Sequence, residues 1–253
     1  MNGLFVTGTD TGVGKTVLSA LLLAELRRRG TDAAPMKPVQ TGCEGNIPDL
    51  DYSLAMASMK TDAETRRAMA PYTFEPACSP HLAAELAGVE IDLAEIVIAA
   101  RNLANRFEFI VAEGAGGILV PLNRRAASEA QIISEGNRVP PGSIMLDLMQ
   151  ALRFPVILAA RPGLGTINHT LLSIRALRSD GIEIAGVVFI AGTDAEPGFI
   201  EEDNANTIEQ FGKVPVLGTI PFCVQLQSPN PVYEDLPIPV VAEIEKIVNQ
   251  LAL

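Results

Sequence analysis

Two rhythms of apolar positions alternate along the chain. Short runs that are almost wholly apolar read as buried strands, and stretches with apolar residues three and four apart read as helices packed by one face. Phe5-Val6 opens a first strand that runs through Thr7 into a glycine-rich turn and then a helix starting near Gly14. In that helix Leu18, Leu21, Leu22 and Leu26 form one stripe, and Arg27-Arg28-Arg29-Gly30, cations followed by glycine, signal its end. Further strands are expected at Ala33 to Lys37, Phe107 to Ala112, Pro155 to Ala160, Ile184 to Ala191 and Val214 to Ile220. Between them, residues 44–60 hold a helix, and Thr61 to Arg106 is helical and alanine-rich with breaks at Pro71-Tyr72 and Ser79-Pro80-His81. Ile167, Leu171, Ile174 and Leu177 share a helix face, Ile200 to Phe211 forms another helix, and Val240 to Leu251 a last one after the proline-rich stretch Ser228 to Pro239. Repeated βα units predict a three-layer, doubly wound α/β fold, a mainly parallel sheet with helices on both faces. The segment 123–143 breaks the rhythm, being polar with Pro140-Pro141, and reads as an inserted surface loop with room for one helical turn.

Composition narrows the class. With 253 residues and no serine- or glycine-rich linker, one domain is the expectation. A net charge of −11 argues against a nucleic-acid partner, and no apolar run approaches a membrane span. No basic segment followed by an apolar one marks a secretion signal, so the expected location is the cytoplasm. Cys43, Cys78 and Cys223 are odd in number and widely spaced, and read as ordinary thiols.

The first turn changes the picture most. Gly8-Thr9-Asp10-Thr11-Gly12-Val13-Gly14-Lys15-Thr16 lies between strand and helix, so the helix's unpaired N–H groups face whatever sits in the turn. That is the context of a phosphate-binding P-loop, in a variant with five residues between Gly8 and Gly14 where the strict pattern has four. Lys15 would reach the outer phosphates and the Thr16 hydroxyl would face magnesium. Lys37 and Thr41, at the carboxyl end of the second strand, would lie beside this loop. Asp49 and Asp51 precede a helix, where either could cap it or approach magnesium. Glu113, leading Gly114-Ala115-Gly116-Gly117, stands where P-loop enzymes place a second carboxylate directed at magnesium. His81 follows a proline at a helix start, and Asn168 sits in a helix's first turn; spacing alone leaves both between structural and ligand roles.

Thr9 to Thr16, Lys37-Pro38-Val39-Gln40-Thr41-Gly42, Glu113 to Gly117 and Gly165-Thr166-Ile167-Asn168-His169, in that order, make the chain resemble the dethiobiotin synthetases. The resemblance implies a P-loop NTPase fold and an ATP- and magnesium-dependent ligase. Such an enzyme closes a cyclic urea on 7,8-diaminopelargonate with carbon dioxide, through a carbamate and a carbamic–phosphoric anhydride. It further implies that Lys15 and Lys37 hold the transferring phosphate and the developing anhydride charge, with Thr11 near the carbamate and Thr41 on the substrate. Gly12, Val13, Gly14, Val17, Gly114, Ala115 and Gly116 would line the nucleotide site together with Pro221, Phe222 and Cys223. Thr16, Asp51 and Glu113 would surround magnesium, Asp51 matching the family spacing better than Asp49. The family is a homodimer, so Gly165, Thr166 and Asn168 of one subunit would receive the substrate's carboxylate tail in the other's site.

The chain departs from the family in two places. An asparagine that reads adenine is usual at the end of the fifth strand, where this chain has Phe189-Ile190-Ala191-Gly192, so weak selectivity for the base is expected. The segment 123–143 is longer than the family's usual connection. Two other readings share the loop. A ParA-like switch ATPase carries an extra lysine near the loop's start, where this chain has Thr9-Asp10, and a cobyrinate amidation enzyme needs a glutaminase domain for which the chain has no stretch.

Overall fold

A computed structural model describes residues 1–124, 131–133, 137–139, 142–196 and 198–252. Strand β1 (Gly3–Gly8) leads to helix α1 (Lys15–Arg28), then β2 (Ala33–Met36), β3 (Val39–Thr41), α2 (Pro48–Met56) and α3 (Ala63–Met69). There follow β4 (Tyr72–Phe74), α4 (Pro80–Leu86), α5 (Leu93–Ala104), β5 (Phe109–Gly117), β6 (Gln131–Ile133), β7 (Asn137–Val139) and α6 (Met145–Leu152). The chain closes with β8 (Val156–Ala160), α7 (Thr166–Ser179), β9 (Ile184–Ile190), α8 (Phe199–Gly212), β10 (Val216–Ile220) and α9 (Ile238–Gln250).

The six expected strands form one parallel sheet in the order β10-β9-β8-β1-β5-β2. Its side chains alternate between two cores, as the pleat requires. Leu4 and Val6 of β1 pack with α1 and α9, whereas Phe5 faces the core built by α3, α5 and α6. From β1 the chain moves two places outward to β2, returns through β5, and then crosses to β8 on the other side of β1. Strand order therefore reverses at β1, and the crevice at its carboxyl end is where such folds bind ligands.

Four elements differ from expectation. Val39–Thr41 and Tyr72–Phe74 pair as a small parallel ribbon outside the main sheet. Strand β5 runs on through its glycines to Gly117, its register to β1 shifting between Val6 and Gly8, so Glu113 lies inside the strand and not at its tip. Helix α6, unanticipated, carries Met145, Leu148, Met149 and Leu152 as a buried stripe. Much of the expected insertion, 125–130, 134–136 and 140–141, lies outside the described residues. Within it, β6 and β7 pair antiparallel. Its base is pinched: the Ser143 N–H donates to Asn123 Oδ1 at 2.8 Å, and Asn123 Nδ2 donates to the Ile91 carbonyl at 2.8 Å.

The arginine run at the end of α1 does more than mark a stop. Arg28 and Arg29 both donate to Glu25, whose carboxylate is fully buried, and reach Glu245 and Asn249 of α9. Tyr233 Oη donates to the same carboxylate at 2.8 Å.

Candidate active site

A cleft of about 540 Å³ opens at the carboxyl end of β1, and residues 11–17 form one wall of it. Gly14 makes the loop's geometry possible. Its φ of 92° is a left-handed conformation that L side chains rarely adopt, and a Cβ there would stand 2.6 Å from Ile190 Cγ2. No side chain caps α1, and no acidic residue occupies its first turn, so its leading N–H groups and positive dipole end remain turned to the cleft. Gly116, with φ of 67°, brings β5's glycine run within 3.6 Å of Thr11 Oγ1, measured from the position its Cβ would take.

At the cleft floor two chain segments converge on one ammonium. Lys37 Nζ lies 2.6 Å from Glu113 Oε1, 2.6 Å from Asp49 Oδ2 and 3.3 Å from the Gly114 carbonyl. Thr16 Oγ1 donates to the same Glu113 oxygen at 2.9 Å. Lys37 follows β2, Glu113 comes from β5, Asp49 from the first turn of α2 and Thr16 from α1, so the sheet and both helices fix the cluster together. Burial pushes the Lys37 ammonium toward a lower pKa, but Glu113 and Asp49 outweigh it and the net shift is upward. Asp49 resists its own desolvation through Lys37 and lies below the ordinary aspartate value. Glu113 is as fully buried as Lys37, and burial raises its pKa against the pull of Lys37. Lys15 is lowered, by burial first and by the Lys37 charge as well; its Nζ donates to the Asp10 carbonyl at 2.9 Å.

Of the residues singled out from sequence, Thr11 to Val17, Lys37, Thr41, Glu113, Ala115 and Gly116 all line this cleft, and Gly114 meets it through its carbonyl. Asp51 does not. Its carboxylate pairs with Arg66 and accepts from the Ile47 N–H at 3.0 Å, and Asp49 takes the place expected for it. The reason is helical geometry: residues two apart on α2 point about 200° apart, so only one can face Lys37. Pro221, Phe222 and Cys223 follow β10 without lining the cleft, and Cys223 is buried in the core beneath α1. The chain then makes a 3₁₀ turn, Val224–Gln227, and its last residue lines the cleft, as do Ile190, Ala191 and Gly192. Gly165, Thr166 and Asn168 open α7 away from this cleft, with Asn168 exposed and Thr166 buried against Thr170. Sequence reasoning passed over Gln40, Arg161 and Gln227 among the lining residues, each a lone polar residue with no spacing signal. Thr16, Asp49 and Glu113 present a hydroxyl and two carboxylates, the hard oxygen donors that magnesium takes when phosphates complete its shell.

The AAA domain family profile matches residues 2–230. Similar solved structures include MinD in the MinC:MinD cell division complex of Aquifex aeolicus, TM-score 0.61 at 14% identity, covering 100% of this chain and 96% of that one. A ParA family ATPase from Chlorobium tepidum is similar at TM-score 0.57 and 13% identity, with 99% of each chain covered. At such identities the likeness is one of fold: a P-loop NTPase sheet with helices on both sides. Sequence relatives are more specific. The ATP-dependent dethiobiotin synthetase BioD of Bacillus velezensis is 36% identical over 230 residues, 91% of each chain. That of Bacillus licheniformis is 35% identical over 253 residues, 100% of this chain and 98% of the relative. The enzyme of Anaeromyxobacter sp. (strain K) is 45% identical over 188 residues, 74% of this chain and 76% of the relative. On this identity, sustained along its whole length, the chain belongs to the ATP-dependent dethiobiotin synthetase family.

Proposed function

We propose that the protein carboxylates 7,8-diaminopelargonate and closes its urea ring in three steps around Lys37. One amine adds to carbon dioxide and loses a proton, giving a carbamate beside Thr11. A carbamate oxygen then attacks the γ-phosphorus of ATP; the new O–P bond forms as the bond to ADP breaks, leaving a carbamic–phosphoric anhydride. The second amine attacks the anhydride carbon, the C–O bond to phosphate breaks, and the cyclic urea is complete. Lys15 and the loop N–H groups hold the triphosphate, and Lys37, fixed between Glu113 and Asp49, neutralises charge on the anhydride. Thr16, Asp49 and Glu113 would hold magnesium, which would supply further positive charge at the phosphates. The observation that carries this reading is Lys37 itself: a buried ammonium outside the phosphate loop, held at the cleft floor by two carboxylates.

Thr41 contacts the diamine, and Gly165, Thr166 and Asn168 receive its carboxylate tail across the interface of a homodimer, working in the cytoplasm as one synthetase domain of 253 residues. With Ile190 in place of an amide at the strand end, ATP competes with other triphosphates on similar terms. Purified protein given the diamine, bicarbonate, magnesium and ATP should yield dethiobiotin; no ATP-dependent product above a no-enzyme control sinks the proposal.

A further inference from the structure

Arg161 follows the last residue of β8, on the far side of β1 from β5, and lines the same cleft as Lys15 and Lys37. Its Nη2 lies 3.4 Å from the Thr11 carbonyl and 3.5 Å from that of Gly12. These contacts are at the long limit for a hydrogen bond, and they are all the hydrogen bonds and ion pairs it makes among the described residues. Of the cleft's three cations, only Lys37 pairs with carboxylates among the described residues. Lys37 is held by Glu113 and Asp49, and Lys15 sits 2.9 Å from the Asp10 carbonyl. The heads of Lys15 and Arg161 thus rest on three consecutive carbonyls, Asp10, Thr11 and Gly12, with the arginine on the Thr11 side. A guanidinium offers five donors in a planar fork suited to phosphoryl oxygens, and this one is spent on no carboxylate.

We propose that Arg161 is a further catalytic residue, the cation that stabilises the phosphoryl group while it passes from nucleotide to carbamate. The inference rests on the proposed function, which puts the nucleotide's phosphates at Lys15 and the carbamate at Thr11; Arg161 stands beside both. During transfer the O–P bond to the carbamate forms as the bond to ADP breaks, and negative charge spreads over the three oxygens in passage. A cation placed there acts on the transition state and adds little to the binding of ADP.

The test is calorimetric binding of ADP and magnesium, with diaminopelargonate and bicarbonate present, in the absence and presence of aluminium fluoride, which mimics the group in flight. Arg161→Ala is expected to bind ADP within ~3-fold of wild type, to lose most of the fluoride-dependent tightening, and to show kcat lower by ~100- to 1,000-fold, with Arg161→Lys recovering part. An unchanged melting temperature would accompany this result, since the side chain is exposed. Full tightening in the alanine variant would overturn the proposal. So would an equal loss of ADP affinity with and without fluoride, because the arginine would then only brace the Thr11–Gly12 turn. A wild type that tightens with fluoride yet makes no dethiobiotin would remove the proposed function and leave the arginine's contact with the transferring group standing.

Discussion

Lys37 and Glu113, 76 residues apart in the chain, meet at 2.6 Å between Nζ and Oε1 at the floor of the cleft. The side chains are 5% and 4% exposed, so neither charge is solvated, and Asp49 closes the other side of the ammonium. A buried ion pair is weak evidence for stability, because desolvation consumes most of its Coulomb energy. Its position at the end of β1, where the strand order reverses, is what ties it to the chemistry.

Replacing Lys37 separates the two roles. Lys37→Ala should leave ADP affinity within a few-fold of wild type, since the loop N–H groups and Lys15 remain, while kcat falls by ~1,000-fold or more. The variant should also lose about 3 kcal/mol of stability by denaturant titration, because Glu113 and Asp49 would face each other without the cation. Comparable loss of ADP affinity and rate would show that Lys37 serves binding and not turnover.

Asp49 and Asp51 offer a paired comparison. Asp49→Asn should lower kcat and raise the magnesium concentration needed for half-maximal rate by ~10-fold or more, since it removes one of two carboxylates from the oxygen cluster. Asp51→Asn should leave both values within ~3-fold and cost about 1 kcal/mol, the worth of a partly exposed pair with Arg66 and one bond to the Ile47 N–H. Magnesium titrations of the two variants decide between them, and the reverse ranking would restore Asp51 to the site.

Acid stability should report on Glu25. Burial pushes its carboxyl up, but hydrogen bonds from Arg28, Arg29 and Tyr233 outweigh this and hold the pKa below the ordinary 4.5. A depressed carboxyl binds its proton less readily folded than unfolded. The stability it lends is therefore full above about 4.5 and drains as pH falls through the lower folded value. Glu25→Gln should cost about 2–3 kcal/mol at neutral pH, at the low end for a buried pair because Arg28 is half exposed, and should flatten the acid limb below pH 4.5. Urea titrations across that range measure both, and an unchanged limb would assign the acid loss to other carboxylates.

Much of this fold is legible from residue pattern because strands buried on both faces are nearly continuous apolar runs, as Phe109 to Ala112 and Val156 to Ala160 illustrate. Strands β3 and β4 span three residues each, too few for any period to emerge. Helix α6 has a readable stripe at Met145, Leu148, Met149 and Leu152, but it follows directly on the polar segment 123–143 and is masked by it. At the site, Gly14, Lys15, Thr16, Lys37 and Glu113 stand out because the ends of apolar runs and glycine-rich stretches announce them. Asp49 against Asp51 is a question of helix phase, set by α2 starting at Pro48 and the direction in which Lys37 lies. Arg161 and Gln227 become visible only when β8 and the turn after β10 are placed beside the loop.

The subunit arrangement is testable without a structure of the dimer. If Asn168 acts in the neighbouring site, Lys37→Ala and Asn168→Ala subunits, each inactive alone, should regain about a quarter of wild-type activity after mixing and exchange. Half the dimers would be mixed, each with one intact site of two. No recovery despite demonstrated exchange would place Asn168 outside the partner's site.

The central claim, that the cleft transfers the γ-phosphoryl group to an oxygen derived from carbon dioxide, is tested most directly by isotope. Turnover with ¹⁸O-labelled bicarbonate and unlabelled ATP, quenched early and read by mass spectrometry of the released phosphate, should show one ¹⁸O per phosphate and label in the urea carbonyl. Phosphate released without ¹⁸O, while dethiobiotin forms, would contradict attack by the carbamate oxygen and with it the role assigned to Lys37.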